Sequence, residues 1–85
     1  MPLISIHKPS FDKDLSKISQ KDRVLILKSI RNLVSSNGKD SDILKIQGIL
    51  WRLKIGKWRV FFEYDGDIIR LLYVERRTTT TYKKR

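Results

Sequence analysis

ILWRLKIGKWRVFFEY, running from Ile49 to Tyr64, reads as two strands joined at Gly56-Lys57. Strand side chains alternate between faces, so Trp51, Leu53 and Ile55 share one face, and Arg52 and Lys54 the other. In the next strand Trp58, Val60, Phe62 and Tyr64 face one way, and Arg59, Phe61 and Glu63 the opposite way. A two-residue turn at Gly56-Lys57 pairs Ile55 with Trp58, Lys54 with Arg59 and Arg52 with Phe61. That register lays the two apolar faces together. It also sets two cations side by side, which costs stability in a sheet. A face that accepts such a cost is suited to an anion.

Outward from this hairpin, Asp65-Gly66 leads into a third strand, Ile68 to Val74. Ile69, Leu71 and Tyr73 continue the core face, while parity puts Arg70, Leu72, Val74 and Arg76 outside. Upstream, Lys39 to Gln47 is a charged connector whose Ile43, Leu44 and Ile46 touch the core. Before it, Val24, Leu27, Ile30, Leu33 and Val34 form the stripe of a helix that starts at a capping box, Ser19 to Asp22, and stops at Asn37-Gly38. A shorter helix starts at Phe11 with Ser10 as its cap, and Phe11, Leu15 and Ile18 are its stripe. Pro2 to Lys8 is a first strand. The order strand, helix, helix, three strands predicts an α+β fold, an antiparallel helix hairpin on a mostly antiparallel four-stranded sheet. Residues 1–85 are read as one domain, with no repeat and no linker.

Nineteen Lys and Arg against nine Asp and Glu give a net charge of +10, which on so small a domain favours polyanions, nucleic acid first. From Arg52 to Arg85 there are ten cations and four anions, so six of the ten net charges fall on the C-terminal sheet and tail. The chain has no cysteine and one histidine, which excludes disulfides and thiolate chemistry and leaves no set for a multi-histidine metal centre. No small-molecule cofactor is expected. No apolar run approaches the roughly 20 residues that span a bilayer, and no signal-peptide segment is apparent; the expectation is a cytoplasmic protein without membrane contact.

Across Leu50 to Tyr82 the chain resembles the RelE/ParE superfamily of toxins. The pattern is aromatic, basic, hydrophobic, basic in Trp51 to Lys54, a glycine turn, then Trp58-Arg59 and a hydrophobic strand. It ends in the tail ERRTTTTYKKR, an Arg shortly before a Tyr. The resemblance implies a RelE-like fold and, for the RelE-like branch, a ribosome-dependent endoribonuclease that cleaves mRNA in the A site. The positions that match that branch's working residues are Arg52, Lys54, Arg59, Arg76 or Arg77, and Tyr82. Parity favours Arg76 over Arg77 for the post-strand role. Arg52 keeps the charge of a position that is often Lys in the family, and its high pKa bars it from acting as a base.

A cation beside a cation gives up its proton more readily, which is what Lys54 needs in order to act as a base near neutrality. Arg52 and Arg59 are suited to hold a phosphate, since one guanidinium can bind two oxygens. The candidate catalytic set is therefore Lys54, Arg59, Arg76, Arg77 and Tyr82, with Tyr82 stacking on a base. Lys57, Phe61, Arg70, Lys83 and Lys84 join Arg52 as RNA or phosphate contacts. The resemblance further implies a RelB-like antitoxin, the ribosome and mRNA as partners. A ParE-like inhibitor of DNA gyrase without nuclease activity, and a non-catalytic RNA-binding domain, are the alternatives.

Overall fold

A computed structural model describes residues 4–39 and 41–76. The elements are β1 (Ile4–His7), α1 (Pro9–Ser16), α2 (Gln20–Ser36), β2 (Ile43–Gln47), β3 (Leu50–Ile55), β4 (Trp58–Asp65) and β5 (Ile68–Arg76). They build an α+β fold with a single sheet in the order β1-β5-β4-β3-β2. The β1–β5 pair is parallel and the other three are antiparallel. The sheet therefore has five strands where the sequence predicts four. The extra one is β2, inside the segment read as a connector. It joins β3 through Gly48-Ile49, a two-residue turn entered at positive φ like those at Gly56 and Gly66. β2 has no helix-like or strict alternating pattern, because a bulge between Lys45 and Gln47 breaks its parity. Leu44 and Ile46 are exposed rather than set in the core.

The β3–β4 hairpin has the predicted register, Ile55 opposite Trp58, Lys54 opposite Arg59 and Arg52 opposite Phe61. Leu53, Ile55, Val60 and Phe62 are buried on its helix side, with Trp51, Trp58 and Tyr64 packed around them. Burying such side chains contributes about 1.5–3 kcal/mol each, enough to outweigh the repulsion between Lys54 and Arg59. α1 packs on β5, and α2 lies over β3.

Both helix boundaries follow local chemistry. The Ser19 hydroxyl accepts the Asp22 N–H at the start of α2. The helix ends with Asn37 in the left-handed region, followed by Gly38 at φ 84°, and the Gly38 N–H bonds to the Leu33 carbonyl. The buried stripe of α2 is Ile26, Ile30 and Leu33, flanked by Leu27 and Val34. Val24, expected in that stripe, is 57 % exposed, because the helix is rotated so that Ile26 points at the sheet. α1 begins two residues earlier than expected, at Pro9 rather than Phe11. Pro9 takes the first helical position, where its fixed φ fits and its missing N–H costs nothing, and Lys8 is the cap.

Ser10, freed from capping, donates from its hydroxyl to the Leu72 carbonyl of β5. One turn later Asp14 Oδ2 accepts the Val74 N–H at 3.1 Å. Between these two anchors β5 carries a bulge: Phe61 is opposite Tyr73 and Phe62 is opposite Leu71, so Leu72 is the extra residue. A bulge leaves ladder groups unpaired, and α1 supplies their partners. Beyond it the parity of β5 is inverted. Val74 is buried on the core side, opposite Val60, while Tyr73 moves to the outer face. Both positions reverse the alternation expected from the sequence. Among the described residues no helix is long and apolar enough to cross a membrane.

Candidate nucleic-acid interface

The face of the sheet turned away from the helices carries Arg52 and Lys54 from β3, Arg59, Phe61 and Glu63 from β4, and Arg70, Tyr73 and Glu75 from β5. Lys54 is exposed, and Arg52 and Arg59 are half-buried along their stems. Arginine stems can lie against apolar surface while the guanidinium keeps to water. The Nε of Arg52 is buried and has no hydrogen-bond partner among the described residues. A phosphate oxygen is the kind of acceptor that would satisfy it. Phe61 and Tyr73 stack at 4.8 Å with 20° between their planes, forming an aromatic plate beside the cations.

Burial, and secondarily the charge of Glu75, raise the Tyr73 phenol above its ordinary value of 10.0. The group is neutral when protonated, so its contribution to stability is complete below that value and is lost as pH rises through the folded-state value. An ultraviolet titration with Tyr73→Phe as control should show this phenol ionising above 10.0, and still above it, though less so, in Glu75→Gln. Ionisation of Tyr73 at or below that value would contradict the packing described for the plate.

Three of the expected phosphate contacts are already engaged. Arg70 lies 3.5 Å from Glu63 and 3.6 Å from Asp65. Lys57 reaches over the turn to Asp22 of α2 at 3.7 Å, with its ammonium 5.8 Å from the Trp58 ring centre. Phe61 is covered on one side by Tyr73. The bulge also removes the basis for assigning the post-strand role to Arg76. Arg76 is opposite Trp58, a core-face residue, and Glu75 takes the outer position opposite Arg59. Arg77, Tyr82, Lys83 and Lys84 lie outside the described residues. His7 points to the helix side, where its Nδ1 is 3.1 Å from Asp12 and its ring meets the edge of Phe11. Among the described residues no three His, Asp or Glu side chains converge as a metal site would require.

Alternation in the sequence predicts Glu63 on this face but not Glu75. The signal for Glu75 lies in Ser10 and Asp14, sixty or more positions away, whose bonds fix the bulge.

No family model and no curated protein matches the sequence. Solved structures do. A chain of the RelB-RelE antitoxin-toxin complex from Methanococcus jannaschii is 26 % identical, with 94 % of this chain and 99 % of that chain aligned at a TM-score of 0.73. The RelE-RelB complex from Pyrococcus horikoshii OT3 matches at 18 % identity, 93 % and 99 % coverage and a TM-score of 0.75. The toxin-antitoxin complex RelBE2 from Mycobacterium tuberculosis matches at 15 % identity, 91 % and 100 % coverage and a TM-score of 0.75. By its architecture, the chain has the RelE-like toxin fold.

Proposed function

We propose that this protein is the toxin of a toxin–antitoxin pair and acts as a ribosome-dependent endoribonuclease that cleaves mRNA in the ribosomal A site. The observation that carries this reading is the juxtaposition of Lys54 with Arg59, and of Arg52 beside them, on a sheet face that no helix among the described residues covers, in a RelE-like fold. RNA cleavage by transfer to the 2′-hydroxyl needs three things: removal of the hydroxyl proton, stabilisation of charge on the phosphorane, and protonation of the 5′-oxygen. Arg52 and Arg59 suit the second task, since each presents a planar fork of donors to non-bridging oxygens. Lys54, the exposed cation next to Arg59, suits a proton transfer.

Arg76 or Arg77 is proposed to stabilise the leaving oxygen and Tyr82 to stack on a base. Phe61, with Tyr73 behind it, would offer a platform for a neighbouring base. Lys57 and Arg70 would first have to leave their carboxylates, so their share in holding phosphate is the smaller one. Lys83 and Lys84 add charge that attracts the backbone. Such a face is a weak catalyst alone. The ribosome, by holding mRNA in one geometry, would supply the proximity that is worth several kcal/mol.

A RelB-like antitoxin is the proposed protein partner. The similar chains come from complexes with antitoxins, and exposed Ile4, Ile6, Val24, Leu25, Leu44, Ile46 and Ile49 leave apolar surface for a partner to cover. Net charge predicts that this partner is acidic. Primer extension on mRNA held in programmed ribosomes, compared with free mRNA, tests the nuclease reading. A DNA gyrase cleavage-complex assay in parallel tests the alternative.

A further inference from the structure

We infer that Glu75 is the general base of the cleavage site, with Lys54 then serving the leaving oxygen as general acid in place of Arg76 or Arg77; this rests on the nuclease reading above. The register places Lys54, Arg59 and Glu75 in one row across β3, β4 and β5, each opposite the next. Neighbouring strands lie about 4.8 Å apart, so the backbones of Lys54 and Glu75 are separated by about 10 Å with Arg59 between them. Transfer to a 2′-hydroxyl is an in-line displacement: the nucleophile enters on one side of phosphorus and the leaving oxygen departs on the other. A cation that grips the non-bridging oxygens belongs in the middle, and the two proton-transfer groups belong on either side. The row has that order.

The other candidates for a base are poorly placed. Arginine does not give up its proton in water at accessible pH. His7 is on the helix side and is bonded to Asp12. Glu63 is on the same face but is held by Arg70, and lies opposite Leu50 rather than Lys54. Glu75 is exposed and next to the arginine. Its position depends on the Leu72 bulge, which the Ser10 and Asp14 side chains of α1 fasten from the opposite side of the sheet. Without the bulge Glu75 would share the parity of the core.

In the step itself, a Glu75 carboxylate oxygen takes the 2′-hydroxyl proton. The 2′-oxygen forms a bond to the adjacent phosphorus, and the bond from phosphorus to the 5′-oxygen breaks with its electron pair on that oxygen. The Lys54 ammonium donates a proton to it. The products are a 2′,3′-cyclic phosphate and a 5′-hydroxyl, with no water consumed.

The test is single-turnover cleavage on programmed ribosomes by the wild type, Glu75→Gln and Lys54→Ala, with melting temperature and ribosome binding measured for each. One mRNA is unmodified, and a second carries sulfur in place of the scissile 5′-bridging oxygen, a leaving group that needs no proton. Glu75→Gln should cleave both substrates about 10²-fold or more slowly than the wild type. Lys54→Ala should be slow on the first substrate and recover on the second. Equal rates for Glu75→Gln and wild type, or recovery of Glu75→Gln on the sulfur substrate, would overturn the assignment of the base while leaving the nuclease reading intact. No cleavage by folded, ribosome-bound wild type would overturn both.

Discussion

Arg59→Ala is expected to cleave ribosome-held mRNA about 10² to 10³-fold more slowly than the wild type, the usual cost of removing one donor aimed at developing charge. Arg59 is the central member of the row on the open face, opposite Lys54 on one side and Glu75 on the other. Arg52, two residues from Lys54 on the same strand, is the nearest other guanidinium on this face among the described residues, but it lies outside the row. The loss should appear in the rate at saturation rather than in ribosome affinity, because the remaining net charge is large and a single phosphate contact adds little to it. Arg59→Lys keeps the charge but not the planar fork, and should recover only a small part of the rate. Stability should barely change. Removing the arginine also removes the repulsion from Lys54, and the melting temperature should stay within about 5 °C of the wild type. Cleavage by Arg59→Ala within a few-fold of wild type would mean that the row is an ordinary solvated sheet face.

Phe11→Ala is the second large effect, and it acts on the fold. Phe11 lies in the first turn of α1 and is wholly buried, with the His7 ring edge-on at 5.0 Å. Truncating a buried Phe costs about 3–5 kcal/mol, the lost transfer energy plus the cavity left behind. A domain's whole stability is about 5–15 kcal/mol, and small domains bury proportionally less surface. Urea unfolding should therefore show a midpoint lowered by a third or more, or a protein that no longer folds at 37 °C. The consequence extends to the site. α1 carries Ser10 and Asp14, and a displaced α1 would release the carbonyl of Leu72 and the N–H of Val74 that hold the β5 bulge. A folded Phe11→Ala protein should accordingly lose cleavage beyond what its unfolded fraction explains. A loss of less than about 1 kcal/mol would show that α1 contributes little to the core.

The hairpin at the centre of the fold was legible because three signals agreed in it. Alternation, a glycine at the first turn position and coincident apolar faces all select one register, and the structure has that register. The caps of α2 were legible for the same reason, since Ser19 and Asn37-Gly38 act through neighbours in the chain. β2 was not. Its exposed Leu44 and Ile46 and its bulge blur the alternation, and the third Gly-X turn, at Gly48-Ile49, was the remaining clue. Val24 was misplaced because a stripe with Leu27 fits helical spacing as well as the stripe of Ile26, Ile30 and Leu33, and only packing against the sheet selects between them.

Half of the candidate site followed from the hairpin alone: Arg52, Lys54 and Arg59 are where alternation puts them. The β5 half did not, because a single extra residue inverts every later side chain. Tyr73, Val74, Glu75 and Arg76 all sit on the face opposite to the one that parity predicts. The cause is tertiary: two polar side chains of α1 bond to backbone far along the chain, a preference no local pattern in β5 records.

The most direct test of the central claim is primer extension on a defined mRNA held in programmed ribosomes, with the same mRNA free in solution alongside. Breaks are expected within the A-site codon on the ribosome, with none on free mRNA and none with Arg59→Ala. Intact mRNA in the presence of folded, ribosome-bound protein would contradict it, and accumulation of gyrase–DNA cleavage complexes by the same preparation would assign the chain to the gyrase-directed alternative.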